Sequence, residues 1–276
     1  MSRGRFRTNY LARDYDRCVI GAGKCQLDGP EPYVPLFGIV EFPSKGARTA
    51  SWSWLTGRPM QVMSRPEKDF YLKLHTLPDV VEIGEQYALD PRVTLELAHE
   101  LGVDHPAVAD DPIVMSTDFV VTRRRQAALQ RCAYAVKQAS NLTERVLEKL
   151  AIERLYWTRR GIPWRLILDT RLPRVRVNNM RQVFDYCLPH RLPCSPEEAA
   201  QMSLWMEPHV YEGHAPLRVL ARECDAKFNH DPGTALSVAF HSLVTRQWTA
   251  DWDSPFLPQP SLLPKKTTLA EEKAAA

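Results

Sequence analysis

Two charged side chains, Asp118 and Lys137, interrupt runs that otherwise consist mainly of apolar or small residues. In IVMSTDFVV the residues alternate strictly, which predicts a strand in which Asp118 breaks an apolar face. In RCAYAVK, alternation puts Lys137 on the same face as two alanines, which leaves room for a ligand beside the amine. We therefore predict two strands that each carry one charged group.

The basic residues between the two runs, Arg123, Arg124 and Arg125, predict the connection of an antiparallel hairpin. Such pairing brings Asp118 and Lys137 together on one sheet face. With a further carboxylate from elsewhere, this pair suits metal-assisted hydrolysis of a phosphodiester, because the metal requires hard oxygen ligands and the lysine can orient and help to deprotonate the attacking water. The alternative interpretation is a buried Asp–Lys ion pair without chemistry.

A third candidate, Glu67, lies in a helix predicted from Ser64 to His75. Ser64 and Glu67 have the spacing of a capping box, so one role of the carboxylate is to cap its own helix. Helical spacing also puts Glu67 on the inward face of Phe70 and Leu74. A carboxylate on that face is a candidate metal ligand, and capping and metal binding compete for the same oxygens.

The helix predicted over LTERVLEKLAIERLYWTRR carries a fourth candidate, Glu153. Asn141 with Glu144 predicts the start of this helix, and Gly161 predicts its end. Glu153 falls within the buried apolar stripe. It either supports catalysis or pairs with a neighbouring arginine or lysine.

Charge and cysteine content exclude some classes of protein. The 276 residues carry a formal net charge of only +3, so a nucleic-acid surface requires local clusters of Arg and Lys. The six cysteines lack CxxC spacing and no apolar leader precedes the basic N-terminus, which predicts reduced thiols in a cytoplasm. No apolar run approaches the roughly 20 residues that a membrane span requires.

The chain is predicted to contain four segments. The strand, helix, strand order around the Asp–Lys hairpin indicates an α/β layer with a mixed sheet. The segments are a basic N-terminal arm (1–30), the α/β domain (31–171), a smaller, mainly helical domain (172–257) and a disordered tail (258–276).

The smaller domain has the outline of a winged helix. TRLPRVRVNN predicts an extended basic connector, followed by helices around MRQVFDYC and after Ser195, where Glu198 completes a capping signature. APLRVLARECDAKF and TALSVAFHSLVTRQW predict two more helices, and WTADWD predicts a short strand. The last of these helices has almost no Arg or Lys, which favours protein docking over DNA binding.

Several segments, in this order, resemble the TnsA endonuclease subunit of heteromeric transposases: EFPSKG, TGRP, the helix of Glu67, EQY, GVDHP, VMSTDFVV, AVK and LEKLAIERLYWTRRGIPW. The resemblance covers most of the chain from residue 30 to residue 170 and continues more weakly to about residue 250. It implies a bacterial catalytic domain with the restriction-endonuclease-like fold, a mixed sheet flanked by helices, followed by the winged-helix-like domain.

The resemblance also implies roles for individual residues. Glu67, Asp118 and Lys137 match the family's catalytic positions, and Glu153 matches a supporting acidic residue. Glu67, Asp118 and the backbone carbonyl of Val136 are expected to hold one or two Mg²⁺ ions, for which Mn²⁺ would substitute, and Lys137 is expected to position the attacking water.

The implied substrate is double-stranded DNA at transposon ends, cut on the nontransferred (5′) strand. Arg123, Arg124 and Arg125 are candidates for contacts with that DNA. The implied partners are the DDE-type transposase subunit TnsB and the AAA+ ATPase regulator TnsC, the latter through the C-terminal domain.

One departure from the family pattern leaves alternatives open. Where family members commonly carry Gln two residues before the lysine, this chain has Ala135, whose side chain cannot bind metal or water. We expect activity to be retained, because the contribution of the Val136 carbonyl depends on strand geometry. The alternatives are a catalytically weak adaptor that links transposase, AAA+ regulator and end DNA, and a restriction or repair nuclease of the same fold.

Overall fold

The computed structural model describes residues 10–27, 29, 31–38, 49–212 and 215–256. Most of the strand predicted over GIVEF, the first nine residues of the predicted arm and the predicted tail at 258–276 lie outside the described residues. The chain divides into two compact units, and the predicted domain limits stay predictions. The first unit comprises Met1–Ser51, Arg58–Phe70 and Asp79–Leu172, and the second comprises Trp52–Gly57, Tyr71–Pro78 and Pro173–Ala276.

The described residues form strands in the first half of the chain and mainly helices in the second. The strands are Thr49–Ser53 (β1), Arg58–Val62 (β2), Val80–Ala88 (β3), Ala107–Val108 (β4), Asp111–Pro112 (β5), Ser116–Arg125 (β6), Ala128–Lys137 (β7) and Trp164–Leu168 (β8). The α-helices are Arg65–His75 (α1), Pro91–Leu101 (α2), Glu144–Arg159 (α3), Arg174–Val183 (α4), Pro196–Glu212 (α5), Leu217–Phe228 (α6) and Thr234–Val244 (α7). None of the helices described is both long and apolar enough to cross a membrane.

A four-stranded mixed sheet in the order β3-β6-β7-β8 is the centre of the first unit. β6 pairs antiparallel with β3 and with β7. β8 pairs parallel with β7, because the chain returns to the sheet through α3, and parallel strands require such a crossover. This mixed α/β arrangement fits the predicted restriction-endonuclease-like fold.

Apolar side chains cover both faces of this sheet. On one face, α1 contributes Phe70, whose ring lies 5.6 Å from that of Phe119 and 5.1 Å from that of Tyr134. On the other face, α2 and α3 pack on β6 and β7, and each large side chain buried there contributes about 2 kcal/mol to folding. The buried cluster on that face consists of Leu89, Leu97, Ala98, Met115, Val120, Ala133, Ile152, Tyr156 and Trp157.

The hairpin that carries Asp118 and Lys137 forms, but its turn lies further along the chain than predicted. Arg123, Arg124 and Arg125 lie inside β6, opposite the start of β7, instead of connecting the two strands. The turn consists of the two residues after β6, of which Gln126 has a φ of 55°. A two-residue turn of this kind tolerates positive φ and lets both strands extend to their full length.

The start of α3 also differs from the prediction. Asn141 lies in a short 3-10 turn, and the N-cap is Thr143, whose hydroxyl accepts a hydrogen bond from the Val146 N–H. Both residues can cap a helix, and the spacing to Glu144 does not distinguish between them. The predicted end is confirmed, because Gly161 follows α3 with a φ of 66°.

In the second unit, the predicted extended connector is wrong. Most of TRLPRVRVNN belongs to α4, in which the buried Val177, Met180 and Val183 recur at helical spacing between exposed basic residues. The strand predicted over WTADWD is also wrong, since the described residues there form bends and turns. The Asn179 amide donates to the carbonyls of Trp252 and Ser254, so two acceptors of this segment bond to a side chain of α4.

The other helices predicted for this unit are confirmed as α5, α6 and α7. Ser195 and Glu198 form the predicted capping box, with the Ser195 N–H and hydroxyl each 2.8 Å from Glu198 Oε2. The winged-helix assignment is not confirmed, because the described residues of this unit contain no wing-like strand pair after α7.

A fully buried histidine, His75, lies in the second unit. Its Nδ1 is 3.0 Å from the Tyr71 carbonyl, which can only accept, so Nδ1 carries the proton. Its Nε2 then accepts from the Ser53 hydroxyl at 3.1 Å. Burial, and secondarily the neighbouring Arg246 charge, lower the pKa of His75 to about 4.

We predict that this histidine makes the stability of the protein depend on pH. The pKa of His75 is lower in the folded state than in the unfolded state. The neutral imidazole therefore contributes to the free energy of unfolding above pH 6.5, and this contribution is lost as the pH falls toward 4. The free energy of unfolding should decrease by about 3 kcal/mol over that range. Urea unfolding of the wild type and His75→Gln at several pH values measures this slope, which should be smaller in the variant. Exposed His190→Gln is the control, and equal slopes in His75→Gln and the wild type would contradict the prediction.

Candidate active site

Asp118 and Lys137 meet at the point where β6 and β7 separate. The regular pairing of the two strands ends with Phe119 opposite Tyr134. Beyond that pair, Asp118 Oδ2 accepts hydrogen bonds from the Val136 N–H and from Lys137 Nζ, each at 2.7 Å. The carboxylate therefore replaces a main-chain partner of β7 and holds the lysine at the same time.

Glu67 is oriented by the start of α1. The predicted capping box forms: the Ser64 hydroxyl donates to Glu67 Oε1 at 2.8 Å, and the Glu67 N–H donates back to that hydroxyl at 3.3 Å. Glu67 Oε2 accepts from the Met63 N–H at 2.9 Å and from Gln86 Nε2 at 3.2 Å. The carboxylate is thus buried and oriented at both oxygens, and among the described residues Oε1 accepts one hydrogen bond whereas Oε2 accepts two.

Glu153 is buried on the inward face of α3. Its Oε1 accepts from Trp164 Nε1 at 3.0 Å, and Thr117 provides a further side-chain hydrogen bond. The Thr117 hydroxyl accepts in turn from Trp157 Nε1 at 2.7 Å. Strict alternation would place Thr117 on the face of Phe119, which packs against α1, so the alternation predicted for β6 fails at this residue.

The charges of these groups act on each other. Burial, and then the charge of Asp118, raise the pKa of Glu67 to about 7 and that of Glu153 to about 7. Burial acts to lower the pKa of Lys137, but the surrounding carboxylates, Asp118 most strongly, raise it above its ordinary value. Three carboxylates surround one amine, and such an excess of negative groups favours a bound cation.

A cavity of about 430 Å³ connects the four groups. The Lys137 side chain retains 32% of its exposure, so solvent reaches the lysine. A space of this size holds a phosphate group with water molecules, and a duplex would have to lie across its opening. The polar and charged residues that line the cavity include Glu67, Gln86, Asp118, Lys137, Lys149 and Glu153.

The oxygen atoms of the site suit a hard divalent cation. Asp118 Oδ2 accepts two hydrogen bonds, whereas Oδ1 accepts none from the described residues. Within the described part of the chain, no group of three or more His, Cys, Asp or Glu side chains is arranged to hold a metal ion. The predicted ligand set contains only two side chains, Glu67 and Asp118, together with the Val136 carbonyl, and such oxygen donors are those that Mg²⁺ prefers. Their role as ligands stays a prediction.

The three arginines that were predicted to contact DNA differ in exposure. Arg123 forms an ion pair with Asp79 at 3.0 Å and is largely buried, which reduces its availability to a phosphate. Arg125 lies 3.9 Å from the same carboxylate and is exposed, and Arg124 is exposed. The exposed pair is better placed for DNA contacts than Arg123.

Sequence reasoning missed three residues that contact the candidate carboxylates: Gln86, Trp164 and Thr117. Trp164 and Thr117 come from separate strands, and no sequence spacing relates them to Glu153. Gln86 belongs to the EQY segment of the family resemblance, but no sequence spacing relates it to Glu67.

Comparison with known proteins shows which family the chain resembles. Residues 77–169 match a family described as the TnsA-like endonuclease N-terminal domain. This span includes Asp118, Lys137 and Glu153, whereas Glu67 precedes it. The chain is also similar to the Transposon Tn7 transposition protein TnsA of Escherichia coli, with 34% identity over 166 residues. That alignment covers 60% of this chain and 60% of the relative, which is less than two thirds of its length. The two matches confirm the predicted resemblance to TnsA.

We predict that Glu153 lowers stability at neutral pH in the absence of metal. The pKa of Glu153 is higher in the folded state than in the unfolded state. Ionisation of the buried carboxylate therefore lowers the free energy of unfolding as the pH rises above 4.5, and the loss is complete above about pH 7. Glu153→Gln keeps an oxygen for Trp164 and removes the charge. Relative to the wild type, this variant should gain up to about 3 kcal/mol in the free energy of unfolding between pH 4.5 and pH 8.

Urea unfolding in the presence of a chelator measures this difference. Glu144→Gln, an exposed substitution on the same helix, is the matched control and should show no pH-dependent gain. A Glu153→Gln variant whose stability relative to the wild type is the same at both pH values would contradict the prediction.

Proposed function

We propose that this chain is the metal-dependent DNA endonuclease subunit of a heteromeric transposase and cuts the nontransferred (5′) strand at transposon ends. The observation that carries the proposal is the contact of Asp118 with both Lys137 and the Val136 N–H, at a cavity that Glu67 also lines. The similarity to a TnsA-like endonuclease domain over residues 77–169 supports the same reaction class.

The residues of the site have different roles in the proposed hydrolysis of a phosphodiester. Glu67, Asp118 and the Val136 carbonyl would hold Mg²⁺, with Mn²⁺ as a substitute, and the ion would offset the charge of the scissile phosphate and lower the pKa of a bound water. Asp118, which lines the cavity, fixes Lys137 through Oδ2, and its Oδ1 accepts no hydrogen bond from the described residues. As an ammonium group, Lys137 donates hydrogen bonds, so it positions the attacking water and balances phosphate charge.

Glu153 and the backbone at the end of β7 support this arrangement. Glu153 lines the same cavity as Lys137, and its negative charge, after that of Asp118, helps to raise the pKa of the lysine, which keeps it cationic. The fully buried Ala135 provides no polar group to the site. The reaction therefore depends on the backbone of Val136 at this level of β7.

We further propose a bacterial cytoplasmic location, a DDE-type transposase of the TnsB kind as the partner that cuts the other strand, and an AAA+ regulator of the TnsC kind. The second unit, with its helices α4 to α7, is the proposed docking region for the regulator. The similarity to a transposition protein supports these partners.

We predict that Asp118→Asn and Lys137→Met each reduce strand cleavage by about 100-fold or more, because each removes a group that contacts the reacting atoms. The measurement is nicking of labelled end DNA by the full chain, together with its partner transposase, in Mg²⁺. Asp110→Asn, at an exposed turn, is the control for loss of one carboxylate and should cleave at the wild-type rate.

Two outcomes would contradict the proposed function. If both site variants retain the wild-type rate, the cleavage does not occur at this site. If the wild type binds the transposase and end DNA but the nontransferred strand stays intact, the chain is an adaptor.

A further inference from the structure

A residue of β3, Gln86, has a backbone conformation that is uncommon within a strand. Its φ is 47°, in the left-handed region that a residue with a Cβ rarely occupies. The neighbouring pairs, Glu85 with Phe119 and Tyr87 with Thr117, keep a regular register. Gln86 therefore lies across from Asp118, and the strand continues on both sides of it.

The Gln86 side chain links two parts of the candidate active site. It is 5% exposed, and its Nε2 donates to Glu67 Oε2 at 3.2 Å. Its Oε1 accepts from the Ser116 hydroxyl at 3.4 Å, two residues before Asp118 on β6. The amide thus connects the carboxylate of α1 to the strand that carries the other acidic residue.

The side chain explains why a glutamine occupies this position. A glycine would adopt this φ without steric cost, so the backbone alone does not require a side chain. Residues held in sparsely populated backbone conformations cluster at active sites and ligand clamps. Here the left-handed conformation accompanies an amide that lies between Glu67 and Ser116, and Gln86 lines the same cavity as the catalytic candidates.

We infer that Gln86 is a positioning residue that holds the Glu67 carboxylate beside Asp118 for metal binding. Without its N–H group, Glu67 Oε2 would retain only the Met63 N–H, and repulsion from Asp118 would favour rotation away from the cavity. The side-chain amide comes from β3, whereas Ala135 leaves β7 without one. This inference rests on the proposed function, which it deepens by assigning the residue that orients one ligand.

Two variants distinguish the effect of side-chain length at residue 86 from the effect of the hydrogen bond to Glu67. Gln86→Asn has the shorter amide, and Asn tolerates positive φ better than most residues, so the variant should fold while losing the contact with Glu67. Gln86→Met keeps the length and loses the N–H group. Gln126→Asn is the matched control, because Gln126 has a similar φ of 55° at an exposed turn.

The experiment measures Mn²⁺ affinity by calorimetry on the full chain, the Mg²⁺ dependence of nicking with the partner transposase, and the melting temperature. In both Gln86 variants, Mn²⁺ affinity should fall 10- to 100-fold, as expected when a hydrogen-bond partner of a metal ligand is removed. The Mg²⁺ concentration for half-maximal nicking should rise by the same factor, while the rate at saturating Mg²⁺ changes less. The Gln126 control should match the wild type in all three measurements.

The outcomes distinguish this inference from the proposed function. Gln86 variants that bind Mn²⁺ as tightly as the wild type, or that lose activity only in proportion to a lower melting temperature, would overturn the inference. A wild type that binds no Mn²⁺ would overturn it as well. If the wild type binds Mn²⁺ with a dependence on Gln86 but never nicks DNA, the proposed function fails and the positioning role is supported.

Discussion

The Asp118 carboxylate occupies a gap in the central sheet, and the rest of the candidate site depends on this insertion. Where β6 and β7 separate, Oδ2 takes the place of a main-chain acceptor for the Val136 N–H. An unpaired N–H in this buried region would cost about 1–3 kcal/mol, so the side chain is fixed by the same requirement that pairs strands elsewhere. Lys137 is held by the same oxygen, and its position follows from that of Asp118.

Electrostatic repulsion among buried carboxylates destabilises the structure around this contact. Glu67, Asp118 and Glu153 share a buried region with one lysine, and burial and the charge of Asp118 raise the pKa of both glutamates. Selection for stability alone would not place these groups together, because each buried carboxylate whose charge is not balanced by a cation lowers the free energy of unfolding. The left-handed Gln86 adds backbone strain at the same place. Such concentrations of unfavourable terms are typical of functional sites.

Much of this site could be predicted from sequence, because local patterns determine it. Alternation and the hairpin brought Asp118 to Lys137, and the capping box identified the start of the helix that carries Glu67. The failures involve contacts between distant parts of the chain. Alternation did not reveal that Thr117 bonds to a tryptophan of α3, and no pattern linked Asn179 to the backbone near residue 252.

Other errors arose where two local interpretations were equally good. The basic run in β6 has the composition of a loop, and only the pairing with β7 shows that it continues the strand. In α4, apolar residues recur at helical spacing and are buried, but the basic residues between them made the segment resemble a loop in the sequence. Local pattern thus predicted the positions of Glu67, Asp118 and Lys137 better than it predicted the boundaries of the elements.

The parallel pairing of β7 with β8 has a consequence for the order in which the chain can assemble. Lys137 is paired with Leu168, so one edge of the lysine-bearing strand has no partner until the chain beyond α3 has been synthesised. During synthesis the hairpin can form early, because its two strands are adjacent along the chain. Because α3 and β8 follow β7 along the chain, Glu153 and the parallel partner of β7 can join Asp118 and Lys137 only after the whole hairpin has been synthesised.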